Sequence, residues 1–307
     1  MYMKKNVRGN LLLVLCGALI WLLTDAEQVR RSASEALSLC AGTVVPALFP
    51  FMVVSGLLMA LGFGDWLSPR LAGLMGPLFH LPGSAGSALL LGFIGGYPIG
   101  VRTAAELYRQ GSLTREEASR LLTFCNNSNP AFLISVLGVG VFGNIRTGMY
   151  LWLIHLLSAL LTGMFFRDHG TSVAPRGTIK SFSCRTVSLP SAFVGSVSNA
   201  LTAILSVCAF VVVFYVVVSP LKTLGGPLGT ILVGSVELFS LTPLLTADRF
   251  GFLLAACCSG WGGLSVLAQT AAVLDSTDLP LAPCLQGKSL QALLSLALAL
   301  PVHLWLL

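Results

Sequence analysis

Residues 201–218 (Leu-Thr-Ala-Ile-Leu-Ser-Val-Cys-Ala-Phe-Val-Val-Val-Phe-Tyr-Val-Val-Val) hold no charged side chain and no polar/apolar alternation. A run of this length and kind fits a helix crossing a bilayer, and its lack of alternation argues against a membrane β-barrel strand. The rest of the chain is built alike. Only 10% of the 307 residues are charged, where a soluble domain carries about 25%, and 55% are hydrophobic. A soluble globule lacks the polar surface it would need, and disorder is excluded by the apolar content. The net charge of +6 comes from scattered loop residues, which disfavours nucleic-acid binding. The expected fold is an all-α polytopic membrane protein of about seven to ten membrane segments.

Lys4, Lys5 and Arg8 precede an apolar stretch from Leu11 to Leu23. No small-x-small cleavage site follows, and Leu15 spoils a lipobox at Cys16, so an uncleaved first membrane helix is expected. Further apolar stretches run at 41–63, 84–99, 121–143, 149–166, 193–218, 228–245, 251–273 and 290–307. Residues 71–81 are too short to span, and 102–120 read as a charged helix opened by a capping box at Thr114–Glu117. With the N-terminus inside and residues 71–97 and 226–246 as re-entrant hairpins, most Lys and Arg residues lie inside. Arg30, Arg31, Arg146, Lys222 and Arg249 are left outside. Basic residues concentrate on the cytoplasmic side, which supports a multi-pass cell-membrane protein with a cytoplasmic N-terminus.

The chain divides into an N-terminal helix and loop (1–38), a first repeat (39–166), a basic cytoplasmic linker (167–190) and a second repeat (191–307). Each repeat opens on a long span, continues with a Gly/Pro-interrupted segment, then a segment broken at its middle, and ends on a plain span. Leu122–Pro130 aligns with Leu254–Gly262. The charge assignment gives the repeats opposite orientation, the arrangement of many secondary transporters, whose broken helices mark the substrate site.

Four segments carry the polar chemistry. Gly95-Gly96-Tyr97-Pro98-Ile99-Gly100 cannot continue a helix, because Pro98 lacks an N–H and disfavours helical geometry at Tyr97. Amides at the helix restarting near Pro98, with Arg102 one turn on, would suit an anion. Asn126, Asn127, Ser128 and Asn129 before Pro130 offer donors and acceptors, or a helix cap. Ser265 and Gln269 form their small, polar counterpart. Glu237 sits deep in an apolar run, where a carboxylate costs a few kcal/mol unless paired, protonated or wet; it is read as a gating or coupling residue. The 8 cysteines show no disulfide framework and the 4 histidines no metal spacing. No cofactor, metal or catalytic constellation is expected, and an enzyme is not.

Gly92–Gly100, Gly111–Ala118, Phe124–Phe132, Gly234–Leu238 and Gly260–Gln269 together resemble the YlbJ-type sporulation integral membrane proteins over about residues 40–300. That family carries the nucleoside-recognition or Gate domain, also found in concentrative nucleoside transporters and the ferrous-iron transporter membrane domain. The resemblance implies two Gate-like repeats in a membrane protein of spore-forming Firmicutes. It also implies a role in moving dipicolinic acid across the outer forespore membrane, beside other sporulation membrane proteins or as a homo-oligomer. Leu238-Phe239-Ser240-Leu241 departs from the polar, Gly-containing turn expected there. Two alternatives stand beside this reading: a nucleoside or other metabolite transporter, and a membrane scaffold that transports nothing.

Overall fold

The computed structural model describes residues 5–168 and 188–306, so most of the expected 167–190 linker lies outside the described residues. Every regular element in them is helical. Helix α1 (Lys5–Thr24) leads into α2 (Ala26–Leu39) and, through a π-turn at Cys40–Val44, into α3 (Val45–Ala60). Then come α4 (Phe63–Phe79), α5 (Ala85–Gly95), α6 (Ile99–Arg109), α7 (Arg115–Leu122), a π-helix at Ala131–Val141 and α8 (Ile145–Phe165). The second half holds α9 (Leu189–Lys222), α10 (Gly226–Val236), α11 (Leu238–Leu241), a 3₁₀ turn, α12 (Arg249–Trp261), α13 (Gly263–Leu274) and α14 (Ala282–Leu306).

Among the described residues, five helical stretches are long and apolar enough to cross a membrane: Ala26–Leu58, Ile145–Phe165, Leu189–Lys222, Arg249–Leu274 and Ala282–Val302. Shorter apolar helices at Leu12–Thr24, Ala85–Gly95, Ala131–Val141 and Gly226–Val236 accompany them. The polarity of the bundle is that of a membrane protein. Leu153, Leu157 and Leu161 of α8 and Leu201, Leu205, Val213 and Val217 of α9 face outward, while Asn126, Asn127, His155, Ser158, Lys288 and Gln291 are buried. In water this arrangement would expose the apolar residues and bury the polar ones, against the sense of the hydrophobic effect. In a bilayer both placements are favourable.

Two boundaries differ from the sequence reading. The charged stretch 102–120 is not one helix: α6 ends at Arg109, Gly111 takes φ 72°, and Thr114 starts α7. The capping box is formed as expected, with Thr114 Oγ1 accepting from Glu117 N at 3.1 Å and Glu117 accepting from Thr114 N at 2.9 Å. Thr114→Ala is expected to cost about 1 kcal/mol, read as a lower melting temperature in detergent micelles; an unchanged melt would show that α7 does not depend on its cap. The expected 71–97 hairpin gains a further arm: α5 packs on α4 and also on α6, with the second turn at Gly96–Pro98.

Between halves, α3 packs along α9 and α8 along α14. On α8 the buried face is Leu151, Ile154, His155, Ser158, Ala159 and Thr162, a helical stripe; on α14 it includes Cys284, Lys288, Gln291 and Ser295. The two stripes meet through a 2.8 Å bond from Ser295 Oγ to Ser158 Oγ.

Candidate functional site

Four chain interruptions meet at the centre of the molecule. The first lies between α5 and α6. Gly96 has φ 77°, which a side chain would strain, and a Cβ there would press on Asn129 at 2.9 Å. The second is the extended stretch 126–129, seated against the first. The third lies between α10 and α11, where Glu237 takes an extended conformation (φ −148°, ψ 124°). The fourth is Gly262-Gly263, with φ 85° and 88°. A Cβ on Gly263 would meet Val236 O at 2.9 Å, so the fourth break packs on the third. Tyr97 closes the ring: its hydroxyl lies 3.1 Å from where a Gly262 Cβ would be, and donates to Ser259 O at 3.2 Å.

These breaks wall one cavity. The first half supplies Tyr97, Ser128, Asn129 and Phe132; the second supplies Glu237, Phe239, Ser265 and Gln269. Leu48 of α3, Val207 and Val211 of α9, and Leu238 and Val266 complete its apolar side. Phe132 and Phe239 meet edge to face across the halves, centroids 4.8 Å apart. The wall is mainly apolar with a few polar groups, and the space in this conformation is about 40 Å³.

Each polar residue has a definable local job as well. Asn129 Oδ1 accepts from Phe132 N at 2.8 Å, capping the π-helix. The Glu237 carboxylate accepts from Ser240 N and caps α11, which explains how α10 ends where the sequence offers neither Gly nor Pro. Glu237 is 1% exposed. Asn126 and Asn127 are buried but lie behind the cavity wall. Asn126 Nδ2 donates to Thr270 Oγ1 at 2.9 Å, while Asn127 donates to Phe124 O at 2.7 Å and accepts from Gln291 Nε2 at 3.0 Å. Gly95 and Pro98 shape the turn beside Tyr97, with Gly95 against the Ile99 side chain.

Arg102 is placed differently. It is exposed on the outer face of α6 with Glu106 and Arg109, and it does not line the cavity. The physical reason is the register of α6, whose Val101, Ala104 and Ala105 turn inward. Lys288, which a last span beginning at Leu290 leaves in a cytoplasmic loop, lies instead behind the cavity wall. Lys288 is 1% exposed. Its ammonium donates to Gln291 Oε1 at 2.8 Å and to Tyr97 OH at 3.3 Å. His155 joins this layer: its Nε2 accepts from Ser128 N at 3.1 Å. One signal could have revealed them. Lys288, Gln291 and Ser295 recur at helical spacing in an otherwise apolar stretch, the mark of an inward polar stripe.

Outside the membrane segments, Tyr108, Arg115 and Asp278 tie α6 and α7 to the α13–α14 loop. Arg115 Nε lies 3.3 Å from the Asp278 carboxylate, whose pKa is held below its ordinary value first by the Tyr108 hydroxyl.

Residues 41–146 match the Gate family, described as nucleoside recognition. The chain is also similar to the sporulation integral membrane protein YlbJ of Bacillus subtilis (strain 168), at 34% identity over 140 residues. That alignment covers 46% of this chain and 34% of the relative, so it spans about a third of the relative's length. No solved structure matches.

Proposed function

We propose that this integral membrane protein, whose residues 41–146 match a nucleoside-recognition Gate domain, is a transporter of a small anionic metabolite. Its cavity is the substrate site, and its two halves exchange access to it. The observation that carries the reading is the meeting of four interruptions, two from each half, around one mainly apolar cavity with a few polar groups. Non-helical backbone at membrane depth is tolerated where it is buried in protein or lines such a space. Broken helices in corresponding positions of two halves belong to transporters that work by alternating access. The two halves are taken as inverted Gate-like repeats, α3 corresponding to α9 and α8 to α14.

In this account Asn129, Ser265 and Gln269 orient the solute, and the amides of the Tyr97 turn approach it. The Phe132–Phe239 contact separates when one half rocks on the other. Glu237 gates or couples by exchanging a proton. Glu237→Gln keeps an acceptor for Ser240 N, so it should fold; uptake driven by a pH gradient should lose that dependence. Retained dependence would remove the coupling role.

Dipicolinic acid is the leading cargo, supported by the similarity to a sporulation membrane protein; the outer forespore membrane is the corresponding location. A nucleoside is the second reading. It is favoured by the match to a nucleoside-recognition family and by Arg102 lying away from the cavity, which leaves amides and a carboxylate suited to ribose hydroxyls. Proteoliposomes offered labelled dipicolinate or uridine separate the two. Saturable dipicolinate uptake that excess uridine leaves untouched is the expected result. The reverse preference would install the nucleoside, and uptake of neither would leave the scaffold.

A further inference from the structure

Lys288 is a buried amine with no carboxylate partner among the described residues. No ion pair among the described residues includes it, and its two hydrogen-bond acceptors, Gln291 Oε1 and Tyr97 OH, are neutral. An ammonium has three donors and no acceptor, so one N–H is left over. A lysine at the centre of a membrane helix costs roughly 2.5–3.5 kcal/mol on insertion scales, and such residues mark substrate or ion pathways.

A second donor in the same layer lacks an acceptor. His155 Nε2 accepts from Ser128 N, so the ring hydrogen sits on Nδ1, which is buried with no hydrogen-bond partner. Gln291 joins the two, bonding Lys288 through its carbonyl and reaching His155 O at 3.4 Å through its amide. This layer therefore holds a buried lysine and, at His155 Nδ1, a buried donor with no partner. It meets the cavity wall at two residues. Tyr97 and Ser128 line that space, Ser128 Oγ donates to Tyr97 OH at 3.2 Å, and the same hydroxyl takes the Lys288 bond.

We infer that Lys288 is the charge-selecting residue of the transport site: a carboxylate of the solute shares the Tyr97–Ser128 hydrogen-bond set with it, and its charge restricts the cargo to anions. The inference rests on the transport reading above and deepens it by naming the cargo's chemical class as carboxylate. Tyr97 is then the shared element, one hydroxyl answering to cavity and cation alike.

The test is uptake into proteoliposomes of dipicolinate and of its uncharged diamide by the full chain. Wild type should prefer the dicarboxylate. Lys288→Gln, which keeps a hydrogen-bonding head, should lose that preference by tenfold or more; Lys288→Arg should keep it, with a changed KM. Melting temperatures of the purified variants exclude a folding failure. If Lys288→Gln keeps the wild-type ratio of dicarboxylate to diamide, Lys288 does not select charge, and the transport reading survives. If wild type carries neither compound nor a nucleoside, the transport reading falls, and this inference with it.

Discussion

Gly100→Ala should leave too little room for the hairpin to fold, and Gly92→Ala should do the same. The two glycines face each other where α5 and α6 pack, and Cys125 O sits between them. A Cβ on either would overlap that carbonyl, with the neighbouring Cys125 C at 3.0 Å for Gly92 and 2.8 Å for Gly100. The obstacle is backbone, so no rotamer change relieves it. Cys125 opens the 126–129 break, and moving it would displace Asn129 from Gly96. Overpacking a core typically costs about 1–3 kcal/mol, more where nothing can shift. We expect each substitution to reach the upper end, seen as a large fall in melting temperature and in the yield of monodisperse protein. Gly42→Ala, where a Cβ meets nothing within 4 Å, should be nearly silent. Equal melts for the Gly100 and Gly42 variants would show that the two breaks do not touch as described.

Asn129→Ala should abolish uptake and lower stability together, and the two effects can be separated. The side chain caps the π-helix through Phe132 N and also lines the cavity. Loss of such a cap costs roughly 1 kcal/mol. Asn129→Asp keeps the accepting oxygen and so should restore most of the stability. It removes the amide donor and places a negative charge beside Glu237, so anion uptake should stay low. Asp recovering both stability and uptake would reduce Asn129 to a cap.

The same doubling of roles explains what the sequence disclosed. Gly96, Pro98, Asn129 and Gly262 break a helix by residue type and can be read from the chain alone; the break at Glu237 cannot, because Glu is a good helix former. The Thr114 cap was equally legible. What periodicity could not give was the facing of each helix. In a membrane bundle both the core side and the lipid side are apolar, so Leu and Val reveal little about direction; only polar residues do. Arg102 was therefore assigned inward from its distance to Pro98, whereas the small residues Ala104 and Ala105 set the register and turn it out. Lys288 was hidden for a related reason. It lies less than two turns inside α14, at a point where hydropathy alone starts the helix later. Which segment pairs with which is a long-range matter: α5 packs on α6 where Gly92 meets Gly100, and on α4 where Gly86 meets Leu71.

In the proposed mechanism the four breaks enclose the substrate site. The most direct test is dipicolinate uptake by a variant that fills the space without touching a cap or a charge. Ser265 lines the cavity from α13 and is 2% exposed, with its backbone inside a regular helix. Ser265→Leu should project a larger apolar group into the cavity. Purified, folded Ser265→Leu in proteoliposomes is expected to show uptake reduced by at least tenfold relative to wild type. Uptake equal to wild type, from protein of undiminished melting temperature, would contradict the claim that solute passes through this cavity.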